Sequence, residues 1–261
     1  VEDFEERQVL DEEGRVRERH HLLNGRLHGE SMTYDAQGRV VRTAQFKEGV
    51  LDGQVVACDA AGRVRERCQF QGGVPHGELT LHDERGWLVQ RMSYLAGKPE
   101  GECVIFGDGR PAAFLHYRQG VPEGELRVLH ASGPDSVRSL YRDGQLEGES
   151  IFFDPEGNVV RRARYHAGKL HGETVEHYPN GQIREKAPYD QDRLHGTVQR
   201  FHLDGRLKEK QTYREGKPLG PPVEYNGRGR PKAAKPAPLE PGEKKPGWRK
   251  KLGLGGGDDA A

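Results

Sequence analysis

The chain has little from which to build a conventional core. Leu, Ile, Val and Phe together number 53 of its 261 residues, at the lower edge of composition for chains that fold around an apolar centre. Cysteine is scarce. Cys58, Cys68 and Cys103 are too few for a disulfide framework and lack zinc-ribbon spacing, so they read as free thiols. No apolar run approaches the ~20 residues of a membrane-spanning helix. Neither sign of charge is in surplus, since 41 basic residues face 41 acidic ones. Nucleic-acid partners, which need a basic excess to displace counterions, are therefore not expected. Phosphate-loop, His-Glu-x-x-His, Gly-x-Ser-x-Gly and Cys-x-x-Cys signatures are all missing. The chain opens Val1-Glu2-Asp3 with neither an initiator Met nor an apolar signal region, so its N-terminus reads as trimmed and its localisation as open, a cytoplasmic setting being the favoured one.

What the sequence does have is glycine, 36 of them, far too many for a helical protein. They are ordered. One column holds Gly25, Gly49, Gly73, Gly97, Gly120, Gly144, Gly168 and Gly216, with Asp192 in the remaining place. A second is unbroken through Gly29, Gly53, Gly77, Gly101, Gly124, Gly148, Gly172 and Gly196 to Gly220. A third runs from Gly14 and Gly38 to Gly181 and Gly205. The spacing is 24 residues, with a single 23-residue step across the turn Phe106-Gly107-Asp108-Gly109. An aromatic column keeps pace: Phe46, Phe70, Tyr94, Tyr117, Tyr141, Tyr165, Tyr189 and Tyr213, preceded by Leu22. Such self-similarity at a fixed period is the mark of a repeat architecture.

Each unit supplies two short strands, the first like Glu149-Ser150-Ile151-Phe152-Phe153 and the second like Arg39-Val40-Val41-Arg42-Thr43-Ala44-Gln45-Phe46. Tight-turn chemistry separates them, as in Asp35-Ala36-Gln37-Gly38 and Asp154-Pro155-Glu156-Gly157. The segment from the aromatic to Gly-Glu, with its two glycines, reads as a looped crossing to the next hairpin. The expected fold is all-β: an elongated, single-layer antiparallel meander of about eight 24-residue β-hairpin repeats, roughly 75 Å long at ~4.8 Å per strand. Residues 1–7 read as an extension and 8–229 as the array, with half-repeats at both ends. In this reading Leu10 to His20 is a returning strand without a partner, and Pro221 to Tyr225 is a last outgoing one. Residues 230–261, rich in Pro, Lys and Gly, read as a disordered tail.

Two further columns suggest what holds the array together. The residue after the second glycine is Glu in six of eight units, and a basic residue follows about thirteen positions later. Folding about the turn would place Glu78–Arg91, Glu125–Arg138, Glu149–Arg162 and Glu173–Lys186 on neighbouring strands as a ladder of ion pairs. The aromatics, with Ala44, Cys68, Met92, Ala163 and Ala187 two residues before them, form a stripe that each unit can bury only against its neighbours. The residue before the second glycine is His28, His76, His171 or His195 in four units and Asp or Glu in four others. Equivalent positions in adjacent units lie roughly 10 Å apart, too far to share one zinc ion, so these are surface loop positions. No metal or cofactor is expected. Nearly every polar residue is a repeated one, and an active site needs a unique set, so the chain reads as a non-enzymatic binding module.

The motif Tyr141-Arg142-Asp143-Gly144-Gln145-Leu146-Glu147-Gly148-Glu149, together with Tyr178-Pro179-Asn180-Gly181-Gln182-Ile183, resembles MORN-variant repeats. More closely, it is similar to the bacterial YwqK-type family of toxin–antitoxin system antitoxins. That resemblance covers roughly residues 8–229. It implies a protein partner, a cognate toxin or effector neutralised by direct binding. The second reading is a scaffold or membrane-peripheral module that meets anionic lipid through the array or through the tail patch Trp248, Arg249, Lys250 and Lys251. Membrane contact is the lesser of the two.

Overall fold

The computed structural model describes residues 2–232; the tail patch around Trp248 lies outside the described residues. They form one open antiparallel sheet of 24 strand segments, with no helix. Neighbouring strands pair in sequence order, from Phe4–Leu10 against Val16–Leu23 to Leu207–Arg214 against Val223–Glu224, and where a short segment such as Val121–Pro122 precedes Gly124–Leu129, both pair with the strand before them. The expected meander is present. The first strand, Phe4–Leu10, begins within the stretch set apart as an extension, and it supplies the partner that the strand after it was expected to lack. At the far end, a bridge between Tyr225 and Pro231 carries pairing slightly past residue 229.

The segment between the aromatic and the second glycine is not a looped crossing. It is a second kind of hairpin, with a two-residue turn. Lys47 pairs with Val50, and the residues between them, Glu48 and Gly49, both have positive φ, 51° and 85°. That is the type I′ geometry whose twist matches the flanking strands. The first glycine column supplies the second turn residue in this way in nearly every unit. Its N–H also reaches back one unit: Gly73 donates to the Leu51 carbonyl at 2.8 Å and Gly168 to that of Leu146 at 2.9 Å. These turns are therefore stapled to one another along one edge of the sheet.

The Asp-x-x-Gly turns line the opposite edge. Asp59 Oδ1 accepts the N–H groups of Ala61 and Arg63, and its Oδ2 accepts from Arg63 Nε at 2.9 Å. The Asp35 turn repeats this pattern. These bonds to the charged form hold the Asp35, Asp59, Asp83 and Asp154 carboxyls below their ordinary range.

The second glycine column has a different cause. In each unit Gly pairs across the strand with the aromatic, as Gly53 with Phe70 and Gly148 with Tyr165. The strand bulges there, so that Asp52, Gly53 and Gln54 together face the single residue Gln45. At Gly53, φ is +115° and a Cβ would stand 2.8 Å from the Cβ of Gln45. Only glycine fits.

Candidate binding surface

Cross-strand pairing sorts the side chains onto two faces, since directly paired residues point the same way. One face carries the aromatic column. Each ring has glycine on one side and, on the other, a partner that the sequence did not reveal: Leu51 beside Phe46, Pro75 beside Phe70, Pro99 beside Tyr94, Leu170 beside Tyr165. The aromatics are half-buried. Beside them runs the innermost row, Ala44, Val55, Cys68, Met92, Cys103, Ser139, Ser150, Ala163, Thr174, Ala187 and Val198, all buried. The row is covered only by neighbouring units, as a repeat array requires. Ser139 and Ser150 satisfy one another across it at 2.8 Å. All three cysteines are free, and burial pushes the Cys68 and Cys103 thiols up.

The next row on this face changes character along the sheet. Ile105, Ala113, Val128, Val137 and Phe152 stand on five successive strands, each paired with the next. Ile105 is 40% exposed. At roughly 4.8 Å per strand the band spans about 19 Å. Beyond Phe152 the row turns to Arg161, Glu176, Glu185, Arg200 and Glu209, where Arg200 pairs with both Glu185 and Glu209.

The opposite face carries the acidic and basic columns. Both lie on it, but a Glu sits diagonal to its basic partner rather than opposite: Glu149 pairs with Arg164, and Ile151 with Arg162. Two of the four expected rungs close, Arg162–Glu149 at 2.8 Å and Lys186–Glu173 at 3.8 Å. Two do not. Arg91 leans toward Glu102 at 3.9 Å, and Arg138 binds Asp135 on its own strand. A diagonal leaves a long side chain free to choose among several carboxylates, so column spacing alone does not select the partner.

The mixed His and carboxylate column also has a definite job in its acidic members. Asp52, Glu100, Glu123 and Glu147 each accept the N–H of the first turn residue one unit on, at 3.1, 2.6, 2.9 and 3.0 Å. In a His unit, His171 Nδ1 lies 3.1 Å from Asp190, and its ring centroid 5.9 Å from that of His166. The carboxylates are thus turn caps that link units, a role that residue spacing does not reveal.

The family profile described as the MORN repeat variant matches residues 170–191 and 194–215. Those two segments are similar to MORN-variant repeats. The two matched units run from the Leu of the type I′ hairpin through the following aromatic, and the same pairing and turn geometry recur in the other units. No curated protein matches the chain. Among solved structures, the crystal structure of TcdB2-TccC3 is 12% identical over 83% of this chain and 16% of that one, with a TM-score of 0.17. The crystal structure of TcdB2-TccC3-Cdc42 is 11% identical over 85% of this chain and 17% of that one, with a TM-score of 0.15. This chain thus spans less than a fifth of the length of either.

Proposed function

We propose that this repeat array is a non-enzymatic protein-binding module whose aromatic face makes the contact. The observation that carries the reading is the band from Ile105 to Phe152. It is a run of apolar side chains in register on five strands, beside half-buried tyrosines, on a sheet with no second layer. A flat, rigid strand face of this kind holds anchors in place at little entropic cost, and a protein surface of matching shape gains from covering it. The resemblance to YwqK-type antitoxins gives the partner a class, a cognate toxin or effector neutralised by being covered.

The test takes the product of the neighbouring reading frame as partner and measures affinity by titration calorimetry. Ile105→Asp and Val137→Asp together weaken binding about tenfold or more while the strand circular dichroism is kept. Unchanged affinity in that variant removes the aromatic face from the interface. Flotation of the whole chain with phosphatidylserine vesicles, in the absence of any partner complex, would favour the lipid reading instead.

A further inference from the structure

The charged face leaves a base of its own column without a diagonal Glu in two hairpins, that of residues 196–213, where Thr197 stands diagonal to Lys210, and that of residues 50–71. In the hairpin of residues 50–71 the Glu that would answer the basic column is Gln54, which pairs with Gln69, and the basic residue is Arg67. Among the described residues Arg67 has no carboxylate within 4 Å. One hairpin on, Arg91 has only Glu102, at the 3.9 Å limit of an ion pair. Thr80 is the direct cross-strand partner of both arginines. The two guanidinium stems therefore rise on either side of a single hydroxyl, with their Cα atoms roughly 10 Å apart across two strand spacings.

Arg63 and Arg85 add to this from the turns, around a depression of about 590 Å³ that His82 also lines. Arg63 is held by Asp59 at 2.9 Å, and the Arg85 guanidinium lies 5.6 Å from the centre of the Trp87 ring. Glu78 is the one carboxylate in the lining. Four arginines face it, in a protein whose charges cancel overall. Elsewhere on the same face the closed rungs Glu149–Arg162 and Glu173–Lys186 neutralise their own bases.

We propose that this depression docks an acidic segment of the protein partner, Asp or Glu side chains presented along an extended strand, with Arg67 and Arg91 as the principal contacts. Guanidinium forks match carboxylates in pairs and remain charged at any physiological pH. Alternate side chains of an extended peptide repeat about every 6.6–6.8 Å, a spacing within reach of two flexible arginines rooted about 10 Å apart. The inference rests on the protein-binding reading and adds a second contact, on the face opposite the aromatics. It gives that partner a chemical signature.

The test follows the fluorescence anisotropy of a labelled hexapeptide of alternating Asp and Glu, against its Asn/Gln counterpart, with the full chain. The acidic peptide binds and the neutral one does not, and raising salt from 50 to 200 mM weakens binding several-fold. Arg67→Gln weakens it about tenfold, and adding Arg91→Gln brings it to the level of the neutral peptide. Arg162→Gln, whose charge Glu149 already answers, leaves it within twofold. Equal binding by the double variant overturns the proposal. So does equal binding of the neutral peptide, or an arginine dependence seen only with inorganic phosphate or phosphatidylserine vesicles. A peptide that fails while Ile105→Asp and Val137→Asp still cost the partner its affinity rejects this site alone. A peptide that binds while those substitutions change nothing rejects the aromatic face alone.

Discussion

The hairpins of residues 50–95 and those of residues 148–190 share one backbone plan and differ in how they settle their charges. In the later pair each diagonal Glu closes on a base, Glu149 on Arg162 and Glu173 on Lys186. In the earlier pair Gln54 has removed one rung, and the other is open between Glu78 and Arg91. A repeat settles its own interactions by repetition, so a departure from it that leaves a charge unanswered is the first place to look for a partner.

The contrast is sharpest at the second glycine column, where the backbone repeats and the surroundings do not. A Cβ at Gly53 would meet Gln45 at 2.8 Å, whereas at Gly148 nothing lies within 4 Å. Both have positive φ, +115° and +81°, so Gly148→Ala costs about 1–2 kcal/mol of backbone strain. Gly53→Ala adds the clash and costs about 3 kcal/mol or more. Urea unfolding of the two variants measures the gap, and equal losses would mean that the bulge relaxes freely. Next in size is the buried row. Ala163 is fully enclosed, so Ala163→Leu overpacks it and costs about 2 kcal/mol, read in the same titration.

The ion pairs come below these. Glu149→Gln lowers stability by no more than ~1 kcal/mol and loses that effect in high salt, because both side chains are about two-fifths exposed. Glu78→Gln is neutral. Gln54→Glu restores the missing rung; it adds a few tenths of a kcal/mol and abolishes acidic-peptide binding, and the two readings together separate a structural arginine from a docking one.

The smallest effect is spread along the turn edge. The Asp35, Asp59, Asp83 and Asp154 carboxyls are lowered, and Asp204, bonded to Arg206, is lowered to about 2. A depressed folded pKa gives stability that is fully present above the unfolded value of 3.8 and is lost as pH falls toward 2. Melting temperature should therefore hold above about pH 5 and fall between pH ~4 and ~2. Amide exchange should rise first at the Asp turns and leave the turns begun by His130 and Tyr178 less affected.

Much of the architecture was legible because glycine and aromatic positions answer to backbone geometry, which recurs from unit to unit. The 24-residue period, the Asp-x-x-Gly turns and the small residues beside each aromatic led directly to a single-layer meander. The type I′ hairpins escaped although Asn24-Gly25, Gly72-Gly73 and Asp143-Gly144 carry the residue types of that turn, because in other units the first turn residue is Glu48, Ala96, Gln119 or Ala167, types that do not announce positive φ. The capping by Asp52 and Glu147 escaped because it joins atoms about twenty residues apart through a bulge that no spacing reveals. The ion ladder was half legible. Column spacing placed its members on one face, but long side chains chose partners there by local competition, as Arg138 chose Asp135. The arginine depression was written in the sequence as Gln54 interrupting a run of Glu, and it gained meaning only once Thr80 was seen between Arg67 and Arg91.

The most direct test is to titrate the acidic peptide into isotopically labelled protein while following the arginine Nε–Hε signals, with each signal assigned by substitution. Large shifts should be confined to Arg67 and Arg91, with lesser ones at Arg63 and Arg85, while Arg162 stays fixed beside Glu149. Shifts of equal size at Arg162, or small uniform shifts at every exposed arginine, would contradict the claim that the broken rung makes the site.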